Sequence, residues 1–358
     1  MKRIVTLLAV CGVLLTLCAC TDTATTPETT TTTTTTAPTT TTTTQSVREL
    51  YDYNAFTGEW NMEKGSTTRP IAFMVPNDSK TIGYQPNVDK ADFYFECETE
   101  GGIPRMMTVF ASASRIPDTY GPIRSARSPS IATARSLGAV LIHCGASSTG
   151  TATLKTGVLD HVDAIYESST LFWRDPVLRE KIDKVHSLVT GRDKLIARMA
   201  QKKFSTDLKQ SLPFCFGNTQ GTTTANQVQL HVTANKNYRV TFKYNAQTGL
   251  YEKNMGTIES NRPHTSLEGN QITVSNVLVL YAEKYVEGTS AGGTLYNFKT
   301  GSGKGYLMNG GKAREISFSR TDSSLVLQEL DGTPLELAQG KTYMILADKT
   351  LSDKLILQ

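Results

Sequence analysis

The chain has 358 residues, of which 39% are hydrophobic and 20% are charged, and its formal net charge is +4 at pH 7. Lys2 and Arg3 supply two of those charges. The rest of the chain is therefore close to neutral and lacks the basic surface that nucleic-acid binding needs. After residue 46 about 310 residues remain, which is more than one typical hydrophobic core and predicts two domains.

The first twenty residues have the pattern of a lipoprotein signal peptide. Lys2 and Arg3 precede an apolar stretch, Ile4–Leu17, that is too short to span a membrane. The stretch ends in Leu-Cys-Ala-Cys, with the small Ala19 just before Cys20. We expect cleavage before Cys20 and lipidation of that residue with diacylglycerol and palmitate, which would anchor the protein on the extracytoplasmic side of the cell membrane. The alternative is an uncleaved anchor helix.

Residues 21–46 are almost all threonine, with Pro27 and Pro38. Such a segment has too little apolar surface to offset the entropy cost of ordering, which predicts a disordered stalk. Its reach is roughly 30 Å as a flexible coil and about 80 Å as a polyproline-like chain.

Residues 47–212 alternate strand-like and helix-like runs, which predicts a mixed α/β domain. The predicted strands are Ile71–Val75, Phe93–Glu98, Met106–Ala111, Ala139–Cys144 and Val162–Tyr166. Three helices are predicted from their capping residues, which are Ser128 followed by Pro129, then Ser147 or Ser148, and finally Thr190.

Residues 213–358 predict a mostly β domain, so that the fold class as a whole is α+β. Short alternating runs recur there between turn signals and show no helical period. Gly301–Gly305 lacks the spacing of a phosphate-binding loop and is assigned to a hairpin turn. His264 follows a proline and is assigned to a loop.

Several motifs in both halves resemble the YerB-like family of bacterial lipoproteins. They are Arg69–Asn77, Lys90–Asp92, Glu100–Arg105, Gly121–Arg127, Phe172–Asp175, Asn261–Thr265, Val274–Val277, Gly301–Gly305, Asn309–Lys312 and Gly340–Tyr343. The resemblance covers almost the whole body of the chain. It implies a two-domain extracytoplasmic module whose biochemical activity is unknown.

The candidate binding site is built on arginines. Arg124, Ser125 and Arg127 precede a predicted helix start, and Arg105 follows a Gly-Gly turn. Guanidinium groups and the free N–H groups of a helix start bind carboxylate or phosphate. The alternative is that the arginines neutralise Glu100 and the nearby acids.

The acids form an alternating set, Glu96, Glu98 and Glu100, which predicts three carboxylates on one face of a strand. Such a set also suits a hard cation such as Ca²⁺, but the Gly and Asn pattern of a calcium loop is missing. We therefore predict no metal and no cofactor.

Five further residues are candidates for ligand binding or catalysis, and each also has a structural interpretation. His143 and Ser147 flank the end of a predicted buried strand, where ligands gather in open α/β sheets; the alternative is a satisfied buried histidine. Trp173 and Arg174 would line a cleft or belong to the core. His186 would act as a base if it met this loop.

Three cysteines follow the signal segment: Cys97, Cys144 and Cys215. Their odd number and apolar surroundings predict small buried residues rather than a disulfide scaffold. A Cys97–Cys144 bridge remains the alternative.

The sequence favours a non-enzymatic module that binds an anionic or peptide-like cell-wall component, or a wall-synthesis protein, near Arg105, Arg124 and Arg127. A second hypothesis is a cell-envelope hydrolase or phosphoryl-group transferase, in which the arginines stabilise developing charge. A third makes the β-rich half a docking platform for envelope proteins.

Overall fold

The computed structural model describes residues 46–257, 260–290 and 292–358. The predicted signal peptide, Cys20 and the stalk up to residue 45 lie outside these residues. Among the helices that are described, none combines the length and the apolar character needed to cross a membrane.

Five α-helices and twenty-six strands are present in the described part of the chain. The helices are α1 Val47–Leu50, α2 Ser128–Ser136, α3 Ser148–Lys155, α4 Pro176–Lys181 and α5 Arg192–Gln201. The strands of the first half are β1 Tyr51–Asn54, β2 Glu59–Glu63, β3 Ile71–Pro76, β4 Phe93–Glu98, β5 Pro104–Phe110, β6 Thr119–Tyr120, β7 Val140–His143, β8 His161–Asp163, β9 Phe172–Arg174 and β10 Leu188–Gly191. Those of the second half are β11 Cys215–Phe216, β12 Thr223–Thr224, β13 Gln227–His231, β14 Arg239–Asn245, β15 Leu250–Gly256, β16 Arg262–Pro263, β17 Thr273–Val274, β18 Asn276–Ala282, β19 Lys284–Ser290, β20 Gly293–Phe298, β21 Gly301–Asn309, β22 Lys312–Arg320, β23 Leu325–Gln328, β24 Glu336–Leu337, β25 Thr342–Asp348 and β26 Ile356–Leu357.

The central sheet contains strands from both halves of the sequence. Its order is β12-β22-β21-β18-β25-β4-β5-β3-β7-β8, and β23 pairs with β22. β25 runs parallel to β4, with Thr342 opposite Phe93. Every residue of β3, β4, β5 and β18 is buried, so both faces of the middle of the sheet are covered. The predicted domain boundary at residue 212 thus falls between two segments that share one sheet, and it stays a prediction.

Two layers cover this sheet. One face packs α2 and α3 through side chains such as Ile131 and Leu154. The other face packs α5 and a six-stranded sheet made of β13–β17 and β26, through side chains such as Phe242, Tyr251 and Leu195. A mixed α/β first half and a mostly β second half confirm the predicted α+β class.

Two predicted helix starts are shifted in the structure. Ser128 is the first residue of α2, and the extended Arg127 holds the N-cap position. Thr190 belongs to β10, and Gly191 precedes α5. The Thr190 hydroxyl donates to the Leu171 carbonyl at 3.0 Å. This hydroxyl was the predicted helix cap, and it is instead engaged in a tertiary hydrogen bond.

One predicted turn of the second half is also wrong, whereas His264 lies outside any strand, as predicted. Gly301–Gly305 lies inside β21, where it pairs with β18 and β22 instead of turning. A Cβ at Gly305 would lie 2.2 Å from the Val279 carbonyl oxygen, so the glycine permits close strand approach. His264 is fully buried, and its ring contacts Lys253 and Gln85.

Candidate functional site

Polar residues gather at one edge of the central sheet. β3, β7 and β8 are parallel, so their carboxyl ends meet there. Asn77 and Asp78 follow β3, and Cys144 follows β7. Arg105 lies at the same edge because β5 is antiparallel to β3 and pairs it with Pro76.

Two of the three predicted arginines pair with the same carboxylate. Arg127 donates to both oxygens of Glu100, with 2.7 Å between Nε and Oε2. Arg105 Nη2 lies 3.7 Å from Glu100 Oε1, and Arg105 Nη1 donates to the Ser125 carbonyl at 3.0 Å. Burial opposes ionisation of Glu100, but the Arg127 hydrogen bond and the two guanidinium charges lower its pKa to about 2. Arg105 and Arg127 therefore serve as ion-pair partners of Glu100, which is the alternative to ligand binding.

Arg124 differs from its two neighbours. Its backbone is fixed, because its N–H donates to the Met74 carbonyl at 2.8 Å and its carbonyl accepts from the Cys144 N–H at 2.9 Å. Its partly buried guanidinium makes no hydrogen bond or ion pair with any other described residue, and its Nε is buried. Burial lowers the pKa of Arg124, and the carboxylate of Asp78 opposes that shift. A largely desolvated cation without a partner is costly.

His186 lies between two carboxylates near Arg124. His186 Nδ1 lies 2.9 Å from the Asp183 carboxylate, and Nε2 lies 3.4 Å from Asp78 Oδ2. The hydrogen bond with Asp78 raises the pKa of His186, although burial opposes the shift. Asn77, only 1% exposed, has neither amide atom hydrogen-bonded within the described chain. The edge thus offers an unpaired guanidinium, an imidazole whose pKa is raised and an amide without a partner among the described residues.

His143 and Ser147 are engaged in other contacts. His143 is fully buried, and its Nδ1 and Nε2 lie 2.9 Å from the Gly145 carbonyl oxygen and 3.0 Å from His161 Nδ1. Ser147 Oγ accepts from the Gly150 N–H at 3.1 Å and caps α3. No hydrogen bond joins Ser147 to His143 or His186 in the described residues. The structure thus does not bring the predicted base and nucleophile together.

The starts of α2 and α3 are occupied by a carboxylate of the chain itself. The hydroxyls of Ser128 and Thr149 each donate to Glu287 Oε2 at 2.8 Å. Glu287 belongs to the hairpin of β19 and β20 from the second half, and Asn297 Nδ2 donates to its other oxygen. The predicted free anion site at the start of α2 is therefore already filled.

Trp173 and Arg174 do not join the arginines. Trp173 is half-buried, and the ammonium of Lys194 lies 4.7 Å from its ring centroid. Arg174 is exposed and donates to the carbonyls of Lys184 and Val185, so it holds the loop that presents His186.

The three predicted acids separate. Glu96 accepts from the Tyr343 hydroxyl in the core, Glu98 accepts from Lys284, and Glu100 pairs with the arginines. Within the described ranges no group of three His, Cys, Asp or Glu side chains is placed to hold a metal ion. Cys97 and Cys144 are free thiols, so the alternative bridge between them is wrong, and Cys144 is only partly buried.

Asn77, Asp78 and Asp183 were not among the residues predicted from the sequence. Asn77 and Asp78 directly follow an apolar strand, and that position was a usable signal for a site at a strand end. Asp183 carries no such signal, because only the loop between α4 and β10 brings it to His186.

Comparison with protein-family models matches both halves of the chain to the same family. The N-terminal domain of a family described as "Protein of unknown function (DUF3048)" matches residues 56–205, and the C-terminal domain of the same family matches residues 228–344. Together the two matches cover most of the chain.

A relative and a solved structure extend this relationship. The chain is 25% identical over 292 residues to "Putative lipoprotein YerB" of Bacillus subtilis (strain 168), across 80% of this chain and 84% of that protein. The crystal structure of YerB protein from Bacillus subtilis matches with a TM-score of 0.72 and 24% identity, over 86% of this chain and 99% of that one. The latter match shows a shared fold.

Proposed function

The chain belongs to the DUF3048 family, and from this premise we propose that it is a lipid-anchored envelope protein whose body binds an anionic group at Arg124. The observation that carries the binding proposal is the guanidinium of Arg124, which lacks a partner while Arg105 and Arg127 share Glu100. A carboxylate or phosphate would supply the missing hydrogen bonds.

Two observations support the proposed lipid anchor, the signal pattern of the first twenty residues and the name of a relative. The signal pattern ends at Cys20, and the Bacillus subtilis relative carries the name of a lipoprotein. We expect acylation of Cys20 on the extracytoplasmic face, followed by the threonine-rich stalk. Metabolic labelling with a palmitate analogue tests this: Cys20→Ala should abolish label, while Cys18→Ala should retain it. Label that persists in Cys20→Ala contradicts the anchor.

The neighbours of Arg124 favour an anion with a polar second group. The raised pKa of His186 favours its positively charged form, and Asn77 offers an amide that both donates and accepts. Asp78 limits the net charge of the site, so a single carboxylate is a better match than a highly charged phosphate cluster. A peptide end, with a carboxylate beside an amide, has this composition.

The contacts favour binding over catalysis. A general base must lie within about 3 Å of the group that it deprotonates. His186 is flanked by two carboxylates that favour its protonated form, and His143 lies buried against Gly145 and His161. These contacts leave neither imidazole placed as a base toward Ser147.

Binding is tested with the detergent-solubilised full-length protein and two probes, acetyl-Ala-Ala with a free carboxylate and the same peptide as its amide. We expect the free acid to bind and the amide to bind at least tenfold more weakly. Arg124→Ala should abolish binding of the acid. Arg179→Ala is the matched control, because Arg179 is an exposed arginine of α4.

Three results would contradict this site. They are equal affinity for acid and amide, undiminished binding by Arg124→Ala, and an equal loss in Arg179→Ala. Thermal unfolding of both variants shows whether the fold is intact.

A further inference from the structure

A second cavity lies in the β-rich half. It has a volume of about 460 Å³ and is formed where β18 ends and β21 begins, beside residues 349–352. Small-molecule sites have volumes of roughly 300–1,000 Å³. None of its lining residues belongs to the edge around Arg124, so whatever it binds is separate from the proposed anion site.

Aromatic side chains form part of the wall. Tyr281 is only 7% exposed, and its hydroxyl has no hydrogen-bond partner in the described part of the chain. Burial raises the pKa of Tyr281, so its hydroxyl stays protonated and able to donate. Tyr306 is half-buried, packs against the core and lines the cavity together with Phe318. The half-buried ring of Tyr306 offers this cavity an aromatic face, which suits a partner with both polar and apolar surface.

The charged side chains around the cavity are all paired, three lysines with two glutamates. Lys299 and Lys349 both pair with Glu283, at 2.5 and 2.8 Å. Lys304 pairs with Glu315 at 2.8 Å. A phosphate would approach two carboxylates that already hold these ammonium groups. A neutral ligand rich in hydroxyls can accept from the lysines and donate to the glutamates without breaking the pairs.

The glycine-rich run at the start of β21 keeps the rim open. A Cβ at Gly301 would meet no atom within 4 Å, so this position borders open space. A Cβ at Gly303 would lie 2.6 Å from the Phe318 ring, so only glycine lets that ring lie across the strand. Gly301 thus leaves one border of the cavity without a side chain, and the run forms neither a phosphate loop nor a turn.

We propose that this cavity binds a saccharide. One sugar ring places its C–H face against Tyr306, and its hydroxyls contact Glu283 and Glu315. The combination of an aromatic ring, paired charges and a bare glycine rim fits an uncharged sugar better than an anion or an apolar ligand. A sugar unit of a larger envelope glycan has the required size.

The test is isothermal titration calorimetry of the detergent-solubilised full-length protein with the trisaccharide of N-acetylglucosamine, with maltotriose and with inorganic phosphate. We expect at least one trisaccharide to bind and phosphate not to compete. Tyr306→Ala should weaken saccharide binding about tenfold or more, as loss of an aromatic anchor does. Tyr166→Ala is the matched control, because Tyr166 is 79% exposed and lies in the other half.

Glu315→Gln provides a second variant in case Tyr306→Ala does not fold, because it removes an acceptor charge at a partly exposed position. It should also weaken saccharide binding while leaving thermal unfolding unchanged. Absence of binding to both trisaccharides at millimolar concentration would overturn the proposal. So would competition by phosphate, or equal losses in Tyr306→Ala and Tyr166→Ala.

Discussion

Lys253 is a fully buried lysine that links the two halves of the chain. It lies on β15, and its Nζ is 3.8 Å from Glu96 Oε2 on β4, with both side chains 0% exposed. Lys253 Nζ also contacts His264 Nδ1 at 2.9 Å, and the Tyr343 hydroxyl donates to Glu96. Burial lowers the pKa of Lys253, and the charge of Glu96 opposes that shift. We predict that Lys253→Met strongly destabilises the fold.

The expected loss follows from the geometry. Two unit charges 3.8 Å apart attract by about 4 kcal/mol at an effective dielectric constant of about 20. Removing one partner of a buried pair typically costs about 3–5 kcal/mol, because the other charge is left in the core. Methionine keeps most of the lysine volume, so little of the loss comes from a cavity.

Urea unfolding of wild type and variants measures this loss. The double variant Lys253→Met, Glu96→Gln removes both charges and keeps an acceptor for Tyr343, so it should recover much of the stability. Lys64→Met is the matched control, because the pair of Lys64 with Asp52 is exposed to solvent and screened. A loss below about 1 kcal/mol in Lys253→Met, or a double variant no more stable than the single one, would refute the reasoning.

Three further predictions concern single side chains. The hydrogen bond with Asp78 raises the pKa of His186, so the stabilising contribution of His186 is fully present below about pH 6.5 and is lost as the pH rises through the folded pKa. In thermal unfolding, His186→Gln should therefore lose less stability with rising pH than the wild type does. Identical pH profiles of the two proteins would contradict this. Burial raises the pKa of Cys97 to about 12, so its thiol should react with Ellman's reagent only after unfolding. Ser147→Ala removes the cap on Gly150 N–H and should cost about 1 kcal/mol in urea unfolding, with Ser147→Asp retaining most stability; no loss in the alanine variant would show that the cap is energetically silent.

The candidate site contains several residues that are paired with one another and one guanidinium, that of Arg124, that has no partner among the described residues. Glu100 satisfies Arg105 and Arg127, and Glu287 fills the starts of α2 and α3. These internal pairs fix the surroundings of Arg124 and leave its guanidinium as the group that still requires a partner. A single residue, rather than the predicted cluster of three arginines, is therefore the centre of the proposed anion site.

Local patterns in the sequence were sufficient for much of the fold. The alternation and apolar content of Phe93–Glu98 predicted β4 with both of its ends correct. Ser147 was identified as one of two candidate caps of α3, and its cap bond is present. These features depend on neighbours a few residues apart, and such contacts are set by composition and spacing.

The composition of the site was also visible, since Arg105, Arg124, Arg127 and Glu100 were all named as candidates. The sequence did not show which of these arginines pairs with Glu100. Which arginine remains free depends on the register of β5 against β3 and on the turn that carries Glu100, and neither is encoded in residue spacing.

The sequence by itself determined the α+β class, the family resemblance and the residue types at the candidate site, because these follow from local periodicity and from motifs that are contiguous along the chain. Only the tertiary structure decided that β25 joins β4 in one sheet, that His264 and Lys253 lie in the core, and that Gly301–Gly305 is a strand beside a cavity. Each of these results is a contact between segments far apart in sequence. Such contacts are selected by the packing of the whole core, so a reading of local patterns does not contain them.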